Sequence, residues 1–98
     1  MKQDIFTQYA EQVAEVFGIK KRELFKKSKK REHVDARHLL YYLCHKRPLR
    51  IAYIQKYMAD NGYDIQHPSI IHGINCVKKK IETDNDYVNI ISKLESYV

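Results

Sequence analysis

The stretch His67–Ile81 constrains the fold of this chain most, because its apolar residues keep a helical spacing from end to end. The large apolar residues lie on one helical face, at Ile70, Ile74, Val77 and Ile81. Pro68 suits the first position of a helix, where its missing N–H has no partner to lose. The pattern predicts a helix over 67–81 whose exposed side is polar at its start and cationic at its end.

The same periodicity predicts helices along the rest of the chain, over Ile5–Phe17, Lys20–Lys27, Asp35–His45, Leu49–Asp60 and Asp84–Tyr97. The first of these is expected to bury Val16, and the last to bury Val88. Glycine or proline lies after three of the helices, which is typical of helix ends and turns. No segment has the alternating pattern of a strand. We therefore expect an all-α bundle of about six short helices in one domain, residues 1–98.

The composition of the chain indicates in which cellular compartment the protein is expected. No window approaches the ~20 apolar residues of a membrane span, and Met1 is followed by charged and polar residues rather than by a signal-peptide core. Cys44 and Cys76 stand apart from any paired-cysteine motif, which is typical of a reduced, intracellular protein. We expect a cytoplasmic protein without membrane attachment.

The positive charge is concentrated in one segment. Lys20–Arg31 contains eight basic residues and one acid, giving +7, whereas the rest of the chain carries ten basic and eleven acidic residues, giving −1. A local basic patch favours a polyanionic partner such as nucleic acid. A membrane surface and a merely solubilising lysine face are the alternatives that charge alone leaves open.

The order of helix, turn and helix over Leu49–Ile81 is the arrangement of a helix-turn-helix unit, whose second helix enters the DNA major groove. The predicted second helix begins with small polar side chains and histidines, which suits a helix that reads base edges. Because helix pairs joined by turns are common, this arrangement alone is weak evidence for DNA binding.

Three segments together carry a resemblance to a known family. Gln66–Gly73 stands where the family has the signature Asp-His-Thr-Thr-Val-hydrophobic-His-Ala. Val13–Ile19 with Glu23–Phe25 is similar to the family's opening helices, and Ala36–Leu43 to its third helix, which follows a basic loop. The match extends from about Gln8 to Leu94 in the right order. The family it resembles is the C-terminal DNA-binding domain of the bacterial replication initiator DnaA, in the helical group that includes the Trp repressor.

The resemblance implies a sequence-specific double-stranded DNA-binding protein of DNA replication or its regulation, nucleoid-associated in a bacterial or infected-host cytoplasm. Four departures indicate a different target site. Gln66 and Pro68 replace an Asp and a Thr of the signature, residues 59–65 replace a glycine-rich turn, and Asp35 stands where the family has a minor-groove arginine. With Met1 as its start and no ATPase motif, the chain is expected to be a stand-alone module of phage or plasmid origin.

The predicted DNA contacts fall into two groups. At the start of the recognition helix they are Gln66, His67, Pro68, Ser69 and His72. There the amide of Gln66 matches an adenine edge, and His67 can donate to guanine or to a phosphate. The basic loop 26–34 and the helix after it supply cations for phosphates or a minor groove: Lys26, Lys27, Lys29, Lys30, Arg31 and Arg37. Of these, Arg37 is expected to hold one phosphate in a fixed position.

Other functions have weaker support. His72 and Cys76 are spaced as a zinc pair, but no further pair completes four ligands. No acid pair, nucleophile motif or phosphate-binding glycine loop is present, so we expect no enzyme activity, cofactor, metal or small-molecule substrate. The tyrosines have helical spacing that places them in or around a core rather than on a stacking platform for single strands. The main alternative is a protein-interaction module that imitates the initiator's DNA-binding domain and binds a replication or regulatory protein.

Overall fold

The computed structural model describes all residues, Met1 to Val98, as five α-helices and one 3₁₀ helix. They are α1 (Lys2–Phe17), the 3₁₀ helix (Lys21–Phe25), α2 (Arg31–Lys46), α3 (Ile51–Asp60), α4 (His67–Thr83) and α5 (Asn85–Tyr97). There is no strand, so the predicted all-α class is confirmed. The helix predicted over Lys20–Lys27 is formed as the 3₁₀ helix. No helix has both the length and the apolar character needed to span a membrane.

Helix α2 lies at the centre of the bundle, because it packs against α1 on one side and α4 on the other. Its residues Leu39, Leu40 and Leu43 are buried, in a single hydrophobic core to which every α-helix contributes. Helix α4 buries the face that its sequence predicts: Ile70, Ile74 and Val77 are buried, and Ile81 is half-buried. The polar face of α4 is thereby turned outward.

Helix α2 begins four residues earlier than its sequence predicts, at Arg31 instead of Asp35. The predicted basic loop 26–34 is therefore a loop only as far as Lys30, whose carbonyl accepts the first helical hydrogen bonds. Val34 is the one apolar residue of this first turn, so the turn shows no apolar periodicity. Its one buried residue is His33, whose Nε2 lies 3.2 Å from Glu23 Oε2 on the 3₁₀ helix, so a tertiary contact extends the helix.

Two residues expected in the core are exposed. The side chains of Val16 and Val88 are 43% and 37% exposed, and Phe6 of α1 is buried although it was not expected to be. The buried face of α1 runs through Phe6, Tyr9, Ala10, Val13 and Ala14. These positions keep the helical spacing, but the face is rotated toward α2 and the 3₁₀ helix, which lie on that side of α1.

The helix-turn-helix arrangement predicted over Leu49–Ile81 is present as α3, a six-residue turn (residues 61–66) and α4. Gly62 has a φ of +91°, in the left-handed region that favours glycine. The N–H of Tyr63 donates to the Met58 carbonyl at 2.9 Å, and Gln55 Nε2 donates to the Ile65 carbonyl at 2.8 Å. These bonds fix the turn on α3 and thereby fix where α4 begins.

Candidate nucleic-acid interface

An open groove with a volume of about 630 Å³ lies between the basic loop, here residues 26–30, and the helix tip, here residues 66–69 with His72. Seven of the eleven predicted contact residues line this groove: Lys27, Lys29, Arg37, Gln66, Pro68, Ser69 and His72. The other four have exposed side chains beside it: Lys26, Lys30, Arg31 and His67. The structure thus brings the two predicted groups to one face of the molecule.

The helix tip is formed by local backbone geometry. Gln66 is extended, with φ −94° and ψ 157°, and its carbonyl accepts from the N–H groups of Ser69 and Ile70 at 3.1 and 3.3 Å. The Gln66 side chain makes no capping hydrogen bond. Residues 66–69 are all exposed, so the tip presents its polar groups to solvent. Ile70, which follows them, is fully buried and anchors the tip to the core.

The basic loop is held from below by Arg37. This side chain is only 4% exposed, and its guanidinium donates to the carbonyls of Leu24 at 3.4 Å, Lys26 at 2.9 Å and Ser28. Backbone carbonyls that point inward need such donors, because they are shielded from water. These hydrogen bonds order the loop from within the protein, and the expected phosphate contact of Arg37 stays a prediction.

The lysines of the basic loop are not equivalent. Lys27 turns back toward the turn before α4, where its Nζ donates to the Asp64 carbonyl and lies 4.3 Å from the centroid of the Tyr63 ring. The side chains of Lys26, Lys29 and Lys30 are exposed and form no ion pair. Of the lysines in the basic loop, these three are therefore the ones whose side chains have no partner within the protein.

Two histidines form part of the groove wall between α2 and α4. The rings of His38 and His72 meet edge to face, with centroids 5.8 Å apart. Burial lowers the pKa of His38 below its ordinary value, and the neighbouring His72 lowers it further. Gly73 allows this approach, because a Cβ there would lie 2.7 Å from His38 Cδ2 and 3.0 Å from Tyr41 Cδ2.

Only two of the candidate metal ligands, His72 and Cys76, lie close together. Cys76 Sγ lies 3.4 Å from His72 Nε2, one helical turn away on α4. No group of three or more histidine, cysteine or acidic side chains assembles around a common point. Cys44 is fully buried in the core, and this burial raises the pKa of its thiol, so it is not a reactive group of the interface.

Asp35, the acid at the position of the family's minor-groove arginine, is paired with cations on two sides. Its Oδ1 lies 3.3 Å from Lys80 Nζ on α4, and its Oδ2 lies 3.8 Å from Arg31 Nε one turn earlier on α2. The carboxylate therefore joins the two central helices and does not face a polyanion as an unpaired charge. Lys80 is thereby a structural residue.

Sequence reasoning did not single out Tyr63, His38 or Tyr41, which also line the groove. Tyr41 is buried, and its hydroxyl has no hydrogen-bond partner. His38 and Tyr41 lie on α2, and its apolar spacing does not distinguish residues that line the groove from residues of the core. Tyr63 offered a signal, because a lone aromatic residue inside the polar turn ADNGYDI is unusual for a solvated loop.

A comparison with known proteins agrees with this geometry. The sequence model of the family described as the bacterial dnaA protein helix-turn-helix matches residues 8–77, more than two thirds of the chain. The chain belongs to this family. The matched region begins in α1, contains the basic loop, α2, α3 and the turn, and ends inside α4. This DnaA-type domain is thus a DNA-binding helix-turn-helix domain, and the resemblance seen in its sequence is confirmed.

Proposed function

We propose that this DnaA-type domain binds double-stranded DNA in a sequence-specific manner, in DNA replication or its regulation. Helix α4 enters the major groove, and the basic loop contacts the adjacent backbone or minor groove. The observation that carries the proposal is the open groove whose two walls are the loop and the helix tip. When a helix occupies a major groove of DNA, one sugar–phosphate strand separates it from the neighbouring minor groove. The open groove of the protein, between the helix tip and the basic loop, can accommodate that strand.

The helix tip supplies the groups that distinguish bases. The exposed Gln66 amide can donate and accept at once, as the adenine edge requires, and His67 can donate to guanine. Ser69 is short enough to reach a base edge or a phosphate near the free N–H groups of the helix start. Because these three side chains are exposed, contact with DNA does not require them to leave other partners.

The cations beside the groove supply affinity. Lys26, Lys29, Lys30 and Arg31 are exposed around the loop, so each can approach a phosphate. Such contacts release counterions and make binding depend on salt, without selecting a sequence. The two groups of residues therefore predict two separable effects on binding.

Replacement of the tip residues tests base reading. A preferred site is first selected from random duplex DNA, and affinities for this site and for a random duplex are then compared. His67→Ala or Ser69→Ala is expected to reduce discrimination by roughly tenfold per lost contact, with an unchanged free energy of unfolding because both residues are exposed. Ser92→Ala, an exposed serine on α5, is the matched control. Equal loss on both duplexes would contradict base reading.

Replacement of a loop lysine tests the electrostatic contribution. Lys29→Ala is expected to weaken binding to every duplex and to reduce the slope of log K against log salt by about 0.9. Lys93→Ala removes an equal charge from an exposed position on α5 and should leave that slope unchanged. If the folded wild-type domain binds no duplex at moderate salt, DNA binding fails as the function and the alternative partner, a replication or regulatory protein, is favoured.

A further inference from the structure

One aromatic ring connects the basic loop with the turn of the helix-turn-helix unit. We propose that Tyr63 is a positioning residue that holds the basic loop at a fixed distance from the helix tip, so that both meet DNA in one arrangement. The inference rests on the proposed DNA binding and adds a residue that lies outside both predicted contact groups.

Tyr63 is half-buried, and cationic side chains from two elements lie against its ring. Lys27 Nζ of the basic loop lies 4.3 Å from its centroid, and Arg37 Cζ of α2 lies 4.9 Å from it. Both distances are within the range of a cation–π interaction. Lys27 is further fixed by its hydrogen bond to the carbonyl of Asp64, the residue after Tyr63.

The backbone of Tyr63 is fixed on α3 by hydrogen bonds of the turn. The N–H of Tyr63 donates to Met58 in the last turn of α3, and Gln55 holds the Ile65 carbonyl two residues later. The turn cannot move without breaking these bonds. The position of the ring is thus defined by α3 and by the start of α4.

The ring contacts the two residues that determine where the loop lies. Arg37 binds the carbonyls of Lys26 and Ser28, and Lys27 is itself part of the loop. The bond from Lys27 to Asp64 is the only hydrogen bond between the basic loop and the unit formed by α3, the turn and α4. Tyr63 therefore lies beside the one hydrogen bond that joins the basic loop to the turn before α4, and its ring adds a contact with Lys27 there.

Such a connection matters because the loop and the tip must contact the same duplex. A loop that is ordered before binding does not lose its conformational freedom on binding, and two linked contacts strengthen each other only when their spacing fits. Without the ring, the loop keeps all its charges but loses its fixed spacing from the tip. Affinity is then lost although no residue that contacts DNA has changed.

The test compares Tyr63→Ala with Tyr63→Phe, which keeps the ring face. Tyr63→Ala should lower affinity for the selected site roughly tenfold, since two cation–π contacts are lost, whereas Tyr63→Phe should bind as the wild type does. Because every cation remains, the salt slope should be unchanged, and amide hydrogen exchange should rise at residues 26–30. Tyr53→Ala is the matched control: Tyr53 is also half-buried, with Lys2 Nζ 4.2 Å from its centroid, but it lies away from the groove.

The outcomes separate this inference from the proposed function. If the wild type binds no duplex, the proposed function fails and the exchange of residues 26–30 still tests the connection. If the wild type binds and Tyr63→Ala has the same affinity and the same exchange, the positioning role is wrong. Should Tyr63→Ala unfold, Tyr63→Leu keeps the apolar bulk without the ring face and must show the same loss. An equal loss of affinity in Tyr53→Ala would also overturn the inference.

Discussion

The two walls of the groove are held in place in different ways. The helix tip takes its shape from adjacent residues, because the Gln66 carbonyl accepts from Ser69 and Ile70 and the side chain of Ile70 anchors the turn below. The basic loop has no regular structure of its own, and its carbonyls are bound by Arg37, which lies 11 residues from Lys26 along the chain. One wall is thus determined locally, and the other depends on tertiary contacts.

The two walls should therefore respond differently to mutation. Substitutions in the tip remove exposed groups and should change which DNA is bound while leaving the fold intact. Substitutions beneath the loop remove groups that the loop needs for its shape, so they should change stability and affinity together.

Removal of Arg37 should have the largest effect. Arg37→Ala leaves two loop carbonyls, of Lys26 and Ser28, and the Leu24 carbonyl of the 3₁₀ helix without their donor. We expect a loss of about 3 kcal/mol in the free energy of unfolding, since bonds to a charged donor are among the stronger ones. Arg37→Lys should recover only part of this loss, because one ammonium cannot reproduce the fork of the guanidinium. The measurement is urea unfolding, with Arg50→Ala, an exposed arginine, as the control. A loss no larger than that of the control would show that the loop does not depend on Arg37.

The contact between α2 and α4 should show the next largest effect. Gly73→Ala places a Cβ within 2.7 Å of the His38 ring, and we expect a loss of about 1–3 kcal/mol from overpacking. In the His38→Ala background the nearest clash is gone, so the same substitution should cost less than half as much, helped by the higher helix propensity of alanine. Unfolding of the four proteins of this cycle measures the coupling. Equal costs in both backgrounds would contradict a steric origin in His38.

The pH dependence of stability should show the smallest effect. Because the folded-state pKa of His38 lies below its ordinary value of about 6.5, the unfolded chain binds this proton more readily, and stability is lost as pH falls through that value toward the folded-state pKa. The charges around the ring are mixed: Asp35 favours its protonation, whereas His72, Lys80 and Arg37 oppose it.

The measurement is the melting temperature between pH 7.5 and pH 5.5 of the wild type and of His38→Gln. The variant should lose less stability over this interval, because it lacks the group that gains a proton on unfolding. If the two proteins lose equal stability, His38 does not contribute to the acid sensitivity of this fold.

Much of α4 could be predicted from the sequence, because its determinants are local. The spacing of Ile70, Ile74 and Val77 identified the buried face, and Pro68 identified the first turn, as the structure confirms. The resemblance to the DnaA family was likewise readable from short segments in the right order, and the family match confirms it. The tip residues lie outside this apolar face and are exposed in the structure.

The roles of Arg37 and Tyr63 could not be predicted in this way. The sequence around Arg37 does not show which carbonyls its guanidinium binds. The aromatic signal at Tyr63 does not show that Lys27 and Arg37 lie against its ring. The start of α2 escaped prediction for a similar reason, since its first turn is anchored by the contact of His33 with Glu23 rather than by apolar spacing.

The all-α class, the helix that begins at His67 and the concentration of positive charge in one segment follow from the sequence alone, since helical periodicity and composition depend on residues a few positions apart. Which cations have partners within the protein depends on how the helices pack. Arg37 is buried beneath the loop, and the ammonium of the exposed Lys27 is held by the Asp64 carbonyl and the Tyr63 ring, whereas the exposed side chains of Lys26, Lys29 and Lys30 have no such partner. A carbonyl shielded from water, such as that of Leu24, needs a donor, and where that carbonyl lies is set by the packing of the whole chain.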